Sequence, residues 1–594
     1  MKSYQQVPRA LTLSLLLAVL GAHAARAEAQ PAPGLDVKLT QNLQSLPPYE
    51  VLELIFQHDQ RYANPFFDVS IEVNFTSPGG RQVRVGGFHY GSLDKPKIDV
   101  KADAKGRKSA TYIFERQNIW KARFAPAEAG HWTYSFVFSN TQGAKATGAG
   151  AFDCVPDPRH PNPGFVRQHP ANPFRWVFDD GSLYFPIGLQ DGVFDGQGVG
   201  SVIAQHAMDG GFRPDREGRP ELPPGDMFKI APAKQVTGEE YFDIFGKAGF
   251  NLLRFSQQNF SLVLYKDLDH YLVQEPAMID ELLLCVRRHG FRVFYGFFGY
   301  QPVFNDHPEN AEGMEKVKRF VKYSVDRWGA YVDFWEFLNE QKAVAGWYEI
   351  MSPYLRSIDP YRHPITTSWE HPELPGIEIN APHWYAGIAD QLNCDRQTVG
   401  QAANYKKFGK PVIVGEHGNH ASKEELKTPG IGGVWDPGSA VRMRIRNWTA
   451  LFQEIAFIFW HTGYAKDGHF MNIYLGPEER QYVQVMQTFA YRLDKDVRMV
   501  SATVPDPKSV RAYGLASTQR AGVYLHHFAS HTDAVHGLTV TLEVPKAARG
   551  YWFAPETGAL LGRFEAGAGK QTFTAPDFTI DLALLITPDP VQAP

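Results

Sequence analysis

The chain has 594 residues, of which 43% are hydrophobic and 21% are charged, and its formal net charge is −4. This composition supports packed cores and excludes extensive disorder. The near balance of 60 basic and 64 acidic residues argues against a nucleic-acid-binding protein, which normally carries a basic face. At roughly 150 residues per domain the length predicts several domains, unless one of them is a large barrel.

The first 29 residues have the pattern of a secretory signal peptide. Lys2 and Arg9 precede a mostly apolar run over residues 10–20, and small residues suited to cleavage follow, the last of them Ala29. The run is too short to cross a bilayer, and no later stretch has 18 consecutive apolar residues. We therefore expect a secreted or periplasmic protein with no membrane span, and an N-terminal membrane anchor is the alternative.

The three cysteines, Cys154, Cys285 and Cys394, are too few and too irregularly spaced for a disulfide framework. Their spacing also matches no common zinc motif. We expect them to be small buried apolar residues.

Two regions of alternating apolar and polar residues enclose a different central region. Residues 37–156 contain short alternating runs separated by glycine-containing turns, which predicts an N-terminal β-sandwich. Residues 157–173 are rich in proline and are interpreted as a linker, since proline interrupts helices and central strands. Residues 497–588 return to short strand patterns and predict a C-terminal β-sandwich.

The central region, residues 174–494, alternates short β-rich runs with helix-compatible segments. Eight strands are predicted, at residues 183–189, 251–255, 292–297, 331–338, 365–368, 378–381, 412–415 and 456–460. This alternation predicts an α/β fold, a (β/α)₈ TIM barrel. An open doubly wound sheet is the alternative, because only about ten residues separate the fifth and sixth strands, too few for a crossover helix.

Two predicted strands each deliver a glutamate near the carboxyl end. The fourth ends in FWEFLNE with Glu340, and the seventh reads PVIVGEHG with Glu416. Barrel active sites lie at the carboxyl ends of the strands, so a closed barrel brings both residues to one rim. Glycoside hydrolysis needs such a pair, one carboxyl to protonate the leaving oxygen and one carboxylate to attack the sugar or activate water.

Asn339-Glu340 and Glu416 at these strand ends, with the surrounding WEFLNE, resemble the clan A glycoside hydrolases, which are retaining (β/α)₈ enzymes. By this resemblance Glu340 is the acid/base, Glu416 is the nucleophile and Asn339 binds the sugar 2-hydroxyl. The resemblance covers the middle 320 residues or so. The flanking regions are similar to the β-sandwiches of multidomain bacterial members.

Further positions match the clan or follow predicted strands. The resemblance places Arg254 near the nucleophile, His383 and Tyr385 after the sixth strand, and Trp460 at the eighth strand as a sugar-stacking residue. The remaining candidate substrate-binding residues follow the first and fifth strands: Gln190, Asp191 and Trp369. Three of these residues have a structural alternative: Arg254 as part of a barrel ion pair, His383 as a residue that orients its neighbours, and Trp460 as a core residue.

No HExxH motif occurs, and the glycines at 196–200 lack the spacing of a dinucleotide-binding loop, so we expect no metal and no cofactor. The sequence thus predicts a secreted retaining glycoside hydrolase that cleaves a poly- or oligosaccharide, with endo action on a β-linked glycan preferred. The alternatives are an exo-acting glycosidase or transglycosylase with the same two glutamates, and a non-catalytic carbohydrate-binding barrel protein.

Overall fold

A computed structural model gives the architecture of the chain. The structure describes residues 34–94, 97–102, 104, 108–113, 115–191, 238–256, 264–299, 305–427, 438–461, 473 and 475–591. The expected signal peptide lies outside the described residues. Within the part of the chain that is described, none of the helices combines the length and the hydropathy that a membrane span requires. All three cysteines are free and buried, as the sequence predicts.

The N-terminal region forms one strongly curved antiparallel sheet. Its strands and an additional hairpin are β1 (Lys38–Gln41), β2 (Ser45–Leu46), β3 (Leu52–Gln57), β4 (Val69–Thr76), β5 (Gln82–His89), β6 (Lys97–Ala102), β7 (Lys108–Ile113), β8 (Ile119–Phe124), β9 (Gly130–Asn140) and β10 (Lys145–Cys154). Eight strands join in the order β1-β3-β8-β5-β4-β9-β10-β2, with only the β10–β2 pair parallel, and β6 pairs with β7. Alternate residues of β4 and β9 are buried, which explains the period-two pattern of the sequence.

This sheet differs in one respect from the predicted sandwich. The first part of β5 pairs with β4 and its last part pairs with β8, so one strand continues from one half of the sheet to the other. The result is a half-barrel rather than two separate sheets. Its core is rich in aromatic side chains, among them Trp120, Trp132 and Phe136.

A small three-stranded sheet connects this half-barrel to the central region. It consists of β11 (Val166–Gln168), β12 (Trp176–Phe178) and β13 (Leu183–Tyr184). The proline-rich segment therefore contains a short edge strand, with its prolines outside the paired residues. The predicted first barrel strand, 183–189, is divided between β13 and the barrel. Pro186, which has no N–H to donate to a ladder, lies at the break.

The central region is a closed ring of parallel strands, which confirms the predicted fold class. The barrel strands are β14 (Gly188–Asp191), β15 (Leu252–Ser256), β18 (Arg292–Phe298), β19 (Phe334–Leu338), β20 (Ile365–Thr366), β21 (His383–Gly387), β22 (Ile413–His420) and β23 (Ala456–His461). They follow one another in the order β20-β19-β18-β15-β14-β23-β22-β21, and a parallel bridge between Ser368 and Ala381 joins the two ends. An open doubly wound sheet would not show this cyclic order.

Helices pack around the ring. They are α1 (Gly238–Lys247), α2 (Gln274–Arg288), α3 (Ala311–Trp328), α4 (Ala345–Ile358), α5 (Cys394–Lys406), α6 (Ser439–Phe452) and α7 (Pro477–Ala490). A two-stranded hairpin of β16 (Tyr265–Asp267) and β17 (His270–Tyr271) precedes α2. The connection from β20 to β21 is described throughout and contains no helix, in agreement with its short predicted length.

The sixth barrel strand was predicted at residues 378–381, and this position is wrong. Within that segment Asn380 and Ala381 make isolated bridges, whereas the strand itself is β21, which begins after Pro382. Ile377, Ile379 and Ala381 are buried and alternate with polar residues, so this segment resembles a strand in sequence. As a consequence His383 and Tyr385 lie within the sixth strand rather than after it.

The C-terminal region consists of two facing antiparallel sheets. Its strands are β24 (Arg498–Val500), β25 (Ala502–Thr503), β26 (Val510–Ala516), β27 (Ala521–His527), β28 (Thr539–Val544), β29 (Ala548–Phe553), β30 (Leu560–Ala566), β31 (Gly569–Thr574) and β32 (Asp581–Thr587). Six of them form the sheet β24-β26-β27-β32-β29-β30, and β25-β28-β31 form the other. Arg444 of α6 forms a buried ion pair with Asp581 of β32, which joins this region to the barrel.

Candidate active site

Glu340 and Glu416 meet at the carboxyl ends of the barrel strands. Glu340 follows β19, Glu416 lies in β22, and His383 is the direct cross-strand partner of Glu416 in β21. The Nδ1 atom of His383 is 2.8 Å from Oε1 of Glu340 and 3.5 Å from Oε2 of Glu416. One carboxylate oxygen of each glutamate and a ring nitrogen of His383 all lie within 4.8 Å of one another.

Glu416 is buried and is held at both of its oxygens. Nη1 of Arg254 donates to Oε1 at 2.7 Å, and the hydroxyl of Tyr385 donates to Oε2. Burial alone would raise the pKa of Glu416, but His383, Arg254 and the Tyr385 hydroxyl outweigh burial and hold that pKa below its ordinary value. The geometry therefore favours the ionised carboxylate at this position.

Arg254 is positioned by a second carboxylate that the sequence analysis did not single out. Its Nε and Nη2 donate to the two oxygens of Glu336 at 3.0 and 2.9 Å, and both side chains are fully buried. Burial raises the pKa of Glu336, with Arg254 opposing it. A charged residue in the middle of the apolar run FWEFL requires a buried partner, and this was the available signal for Glu336.

Two amide side chains complete the surroundings of Arg254. Its guanidinium donates to Oε1 of Gln190 and, through Nη2, to Oδ1 of Asn339 at 2.6 Å. Asn339 is buried, and its Nδ2 has no hydrogen-bond partner among the described residues. The orientation of Asn339 is thus fixed by Arg254 through its oxygen, which leaves its amide hydrogens for a ligand.

Among the described residues of this rim, three non-glycine residues have left-handed backbone conformations. Glu340 has φ of 55°, Trp369 has φ of 34° and His371 has φ of 46°. Such conformations cost about 1–3 kcal/mol each and persist where surrounding contacts impose them. The amide of Glu340 donates to Oγ of Ser368 at 2.7 Å, and this contact ties the end of β19 to the residue that closes the ring.

Trp369 and Trp460 occupy different environments. Trp369 is 41% exposed, and its ring stands edge-on to His383 with the centroids 5.0 Å apart. Trp460 lies within β23 and is 9% exposed. The structure brings Glu340, Glu416, Asn339, Arg254, His383, Tyr385, Gln190 and Trp369 together. The backbone of Asp191 pairs with that of His461, and the side chain of Asp191 is not among those that the structure describes.

The spacing of Glu340, His383 and Glu416 would also allow them to ligate a cation. Arg254, however, already supplies positive charge at Glu416. Neither glutamate needs a metal for carboxylate chemistry of the kind predicted from the sequence, and the expectation of a metal-free site stays a prediction.

The chain is similar to known proteins in one sequence segment and in its fold. Residues 45–139, within the half-barrel, match a family described as a domain of unknown function, DUF5060. No curated protein matches the sequence. Among solved structures, a candidate glycoside hydrolase from Bacteroides vulgatus ATCC 8482 matches with a TM-score of 0.57 and 15% identity, over 92% of this chain and 100% of that chain.

Two further solved structures are more distant. A family 5 glycoside hydrolase from Bacteroides vulgatus ATCC 8482 has a TM-score of 0.46 and 12% identity, over 71% of this chain and 94% of that chain. A family 39 glycoside hydrolase from Bacteroides cellulosilyticus WH2 has a TM-score of 0.41 and 11% identity, over 93% and 100%. The first match, with the closed barrel, confirms the fold implied by the resemblance to clan A, and it concerns the fold alone.

Proposed function

We propose that the protein is a retaining glycoside hydrolase that cleaves a poly- or oligosaccharide by double displacement. The observation that carries this proposal is the approach of a carboxylate oxygen of Glu340 to one of Glu416 within 4.8 Å. Retaining enzymes hold the two carboxyl groups roughly 5–5.5 Å apart, whereas inverting enzymes leave about 6.5–9.5 Å for a water molecule. The 4.8 Å applies to one oxygen of each carboxyl group, and such an approach fits the shorter, retaining spacing better than the inverting one.

In the first step the carboxylate of Glu416 attacks the anomeric carbon while the glycosidic C–O bond breaks. Glu340 transfers its proton to the leaving oxygen. In the second step water attacks the same carbon, its proton passes to Glu340, and the bond to Glu416 breaks. Arg254 and Tyr385 suit this scheme because they favour the ionised form of Glu416 before attack.

His383 and Asn339 have roles that fit the same scheme. A histidine ring nitrogen can donate to an ionised carboxylate or accept from a protonated one, so the 2.8 Å contact with Glu340 is compatible with both of its states. The Nδ2 group of Asn339, which has no hydrogen-bond partner in the described part of the chain, is available to the sugar 2-hydroxyl. Trp369, exposed beside His383, offers an aromatic surface on which a sugar ring can stack.

The finer features remain part of the proposal. Endo action on a β-linked glycan is preferred, and an exo-acting glycosidase or a transglycosylase would use the same two glutamates. A non-catalytic carbohydrate-binding barrel is disfavoured, because a binder does not need a buried carboxylate held ionised beside a second carboxyl group.

We propose a periplasmic or extracellular location on the basis of the signal-peptide pattern, and N-terminal sequencing of the mature protein tests it.

A sugar-release screen with three variants tests the activity. The chain is incubated with plant, algal and bacterial polysaccharides, and the best substrate is then assayed with Glu340→Gln, Glu416→Gln and Glu565→Gln. Glu565 is exposed on β30 of the C-terminal sheets, so its variant is the matched control. We expect the first two variants to lose about 10²–10⁴-fold in kcat, or more, and the control to remain active. Undiminished release by Glu416→Gln would contradict the proposal.

A further inference from the structure

A second cluster of chemically reactive side chains lies outside the candidate active site, where the first turn of α1 meets the last turn of α2. Glu239, Cys285 and His289 each offer one ligand-type atom there, and these three atoms lie within 4.8 Å of one another. The proposed glycosidase chemistry uses none of them. A thiol, an imidazole and a carboxylate are the donors that Zn²⁺ binds in proteins.

The fold holds two of the three donors in a fixed relation. Cys285 and His289 are four residues apart, and the amide of His289, the C-cap of α2, donates to the carbonyl of Cys285 at 3.3 Å, so the helical hydrogen bonding extends to His289. Side chains at this spacing share one face of a helix. Cys285 is buried, and the buried ring of Phe242 lies beside His289, which gives the cluster an apolar wall.

Glu239 supplies the third donor from the other helix. Its Oε2 is 2.7 Å from Nε2 of His289, and its Oε1 accepts from Arg288. With metal–ligand bonds of about 2.0–2.1 Å, tetrahedral donors stand about 3.3 Å apart. Glu239 therefore has to withdraw by about half an ångström to admit an ion, and its side chain is half exposed, with Arg288 on its other oxygen.

We propose that Glu239, Cys285 and His289 bind Zn²⁺, with a water molecule as the fourth ligand. The thiolate and the carboxylate balance the charge of the ion, and Arg288 holds the second oxygen of Glu239 as an outer partner. On binding, the thiol proton of Cys285 is released to the buffer and an S–Zn bond forms. The ion would fasten α1 to α2, and this site departs from the absence of metal expected from the sequence.

Cobalt substitution tests the site, because a thiolate bound to Co²⁺ gives a near-ultraviolet charge-transfer absorption that carboxylate and imidazole ligands alone do not give. The full-length, reduced, metal-free chain is titrated with Co²⁺ and then with Zn²⁺. We expect this absorption to saturate at one Co²⁺ per chain and to disappear when Zn²⁺ displaces Co²⁺. Absence of the absorption from the folded wild-type protein would overturn the proposal.

Variants identify the thiol. Cys285→Ser should abolish the absorption, whereas Cys394→Ser, which alters another buried free cysteine, should retain it. Because a substitution at a buried position can affect folding, Glu239→Gln provides a second variant at a half-exposed residue. We expect this variant to bind Co²⁺ about tenfold more weakly than the wild-type protein, or weaker still. Retention of the absorption by Cys285→Ser would refute the assignment. The readout is independent of sugar release, so the two proposals fail separately.

Discussion

Arg254 and Glu336 form a bidentate ion pair that is fully buried inside the barrel. The remaining guanidinium nitrogen, Nη1, donates to Glu416. Glu336 therefore sets the orientation of Arg254, which contacts Glu416, without contacting Glu416 itself. A buried arginine between two carboxyl groups is strongly constrained, since any displacement would leave a buried charge without its partner. Glu336 is thus a positioning residue for the proposed nucleophile.

Glu336→Gln should reduce kcat/KM by about 10–100-fold, because small displacements of catalytic groups have effects of this size. The shape of the side chain is kept, while one carboxylate that fixes Arg254 is lost. Glu53→Gln is the matched control, since Glu53 also pairs with a buried arginine, Arg123, but in the half-barrel. Steady-state kinetics on the best substrate provide the measurement. Equal effects of the two variants would argue for a general loss of stability.

The pH dependence of kcat/KM should reflect the lowered pKa of Glu416. Activity requires the ionised form, so it should persist as the pH falls to values below the ordinary glutamate pKa. Tyr385→Phe removes a hydrogen bond to the ionised form of Glu416, which should raise that pKa. The acid limb of the kcat/KM profile should therefore shift to a pH about one unit higher, or more. Tyr513→Phe, which removes a hydroxyl bonded to Asp395 outside the site, should leave the limb in place.

Glu340→Ala should be rescued by azide on a substrate with an activated leaving group. Such a substrate needs no proton donor for departure, and azide replaces the water that Glu340 would have activated. If the substrate is β-linked, the product should be the β-glycosyl azide, which NMR identifies. Absence of rescue, in a variant that still forms the glycosyl-enzyme, would count against Glu340 as the acid/base.

Asp581→Asn should destabilise the contact between the barrel and the C-terminal sheets. Asp581 receives hydrogen bonds from Nε and Nη2 of Arg444, both at 3.0 Å, and both side chains are buried. Removing one partner of such a pair costs about 3–5 kcal/mol. Asp577→Asn, which breaks an exposed pair with His536, should cost less than about 1 kcal/mol. Urea denaturation compares the two variants, and similar midpoints would be inconsistent with this interpretation.

Much of the fold and the site followed from local sequence patterns. Barrel strands are apolar runs, and parallel strands place their carboxyl ends on one rim, so Glu340 and Glu416 could be expected to meet, whereas Arg254 was placed beside them by the resemblance to clan A. The roles of His383 and Tyr385 came from the resemblance to clan A, and their position in β21 rather than after it did not alter their approach to Glu416.

Other features depend on tertiary contacts that a single sequence does not display. The apolar run FWEFL indicates that Glu336 needs a buried partner, but only the structure identifies that partner as Arg254, 82 positions away. The division of the first predicted strand at Pro186 and the late start of β21 depend on which backbone groups find partners. The proposed zinc site joins Cys285 and His289 to Glu239, which lies on another helix, and so matches no local motif.

The anomeric configuration of the first product is the most direct test of double displacement at Glu340 and Glu416. Hydrolysis of the best substrate is followed by proton NMR from the earliest time points, before mutarotation equilibrates the product. Retention predicts that the anomer of the substrate appears first and the other anomer appears only slowly. Initial release of the opposite anomer would show single displacement by water and would contradict the assignment of Glu416 as the nucleophile.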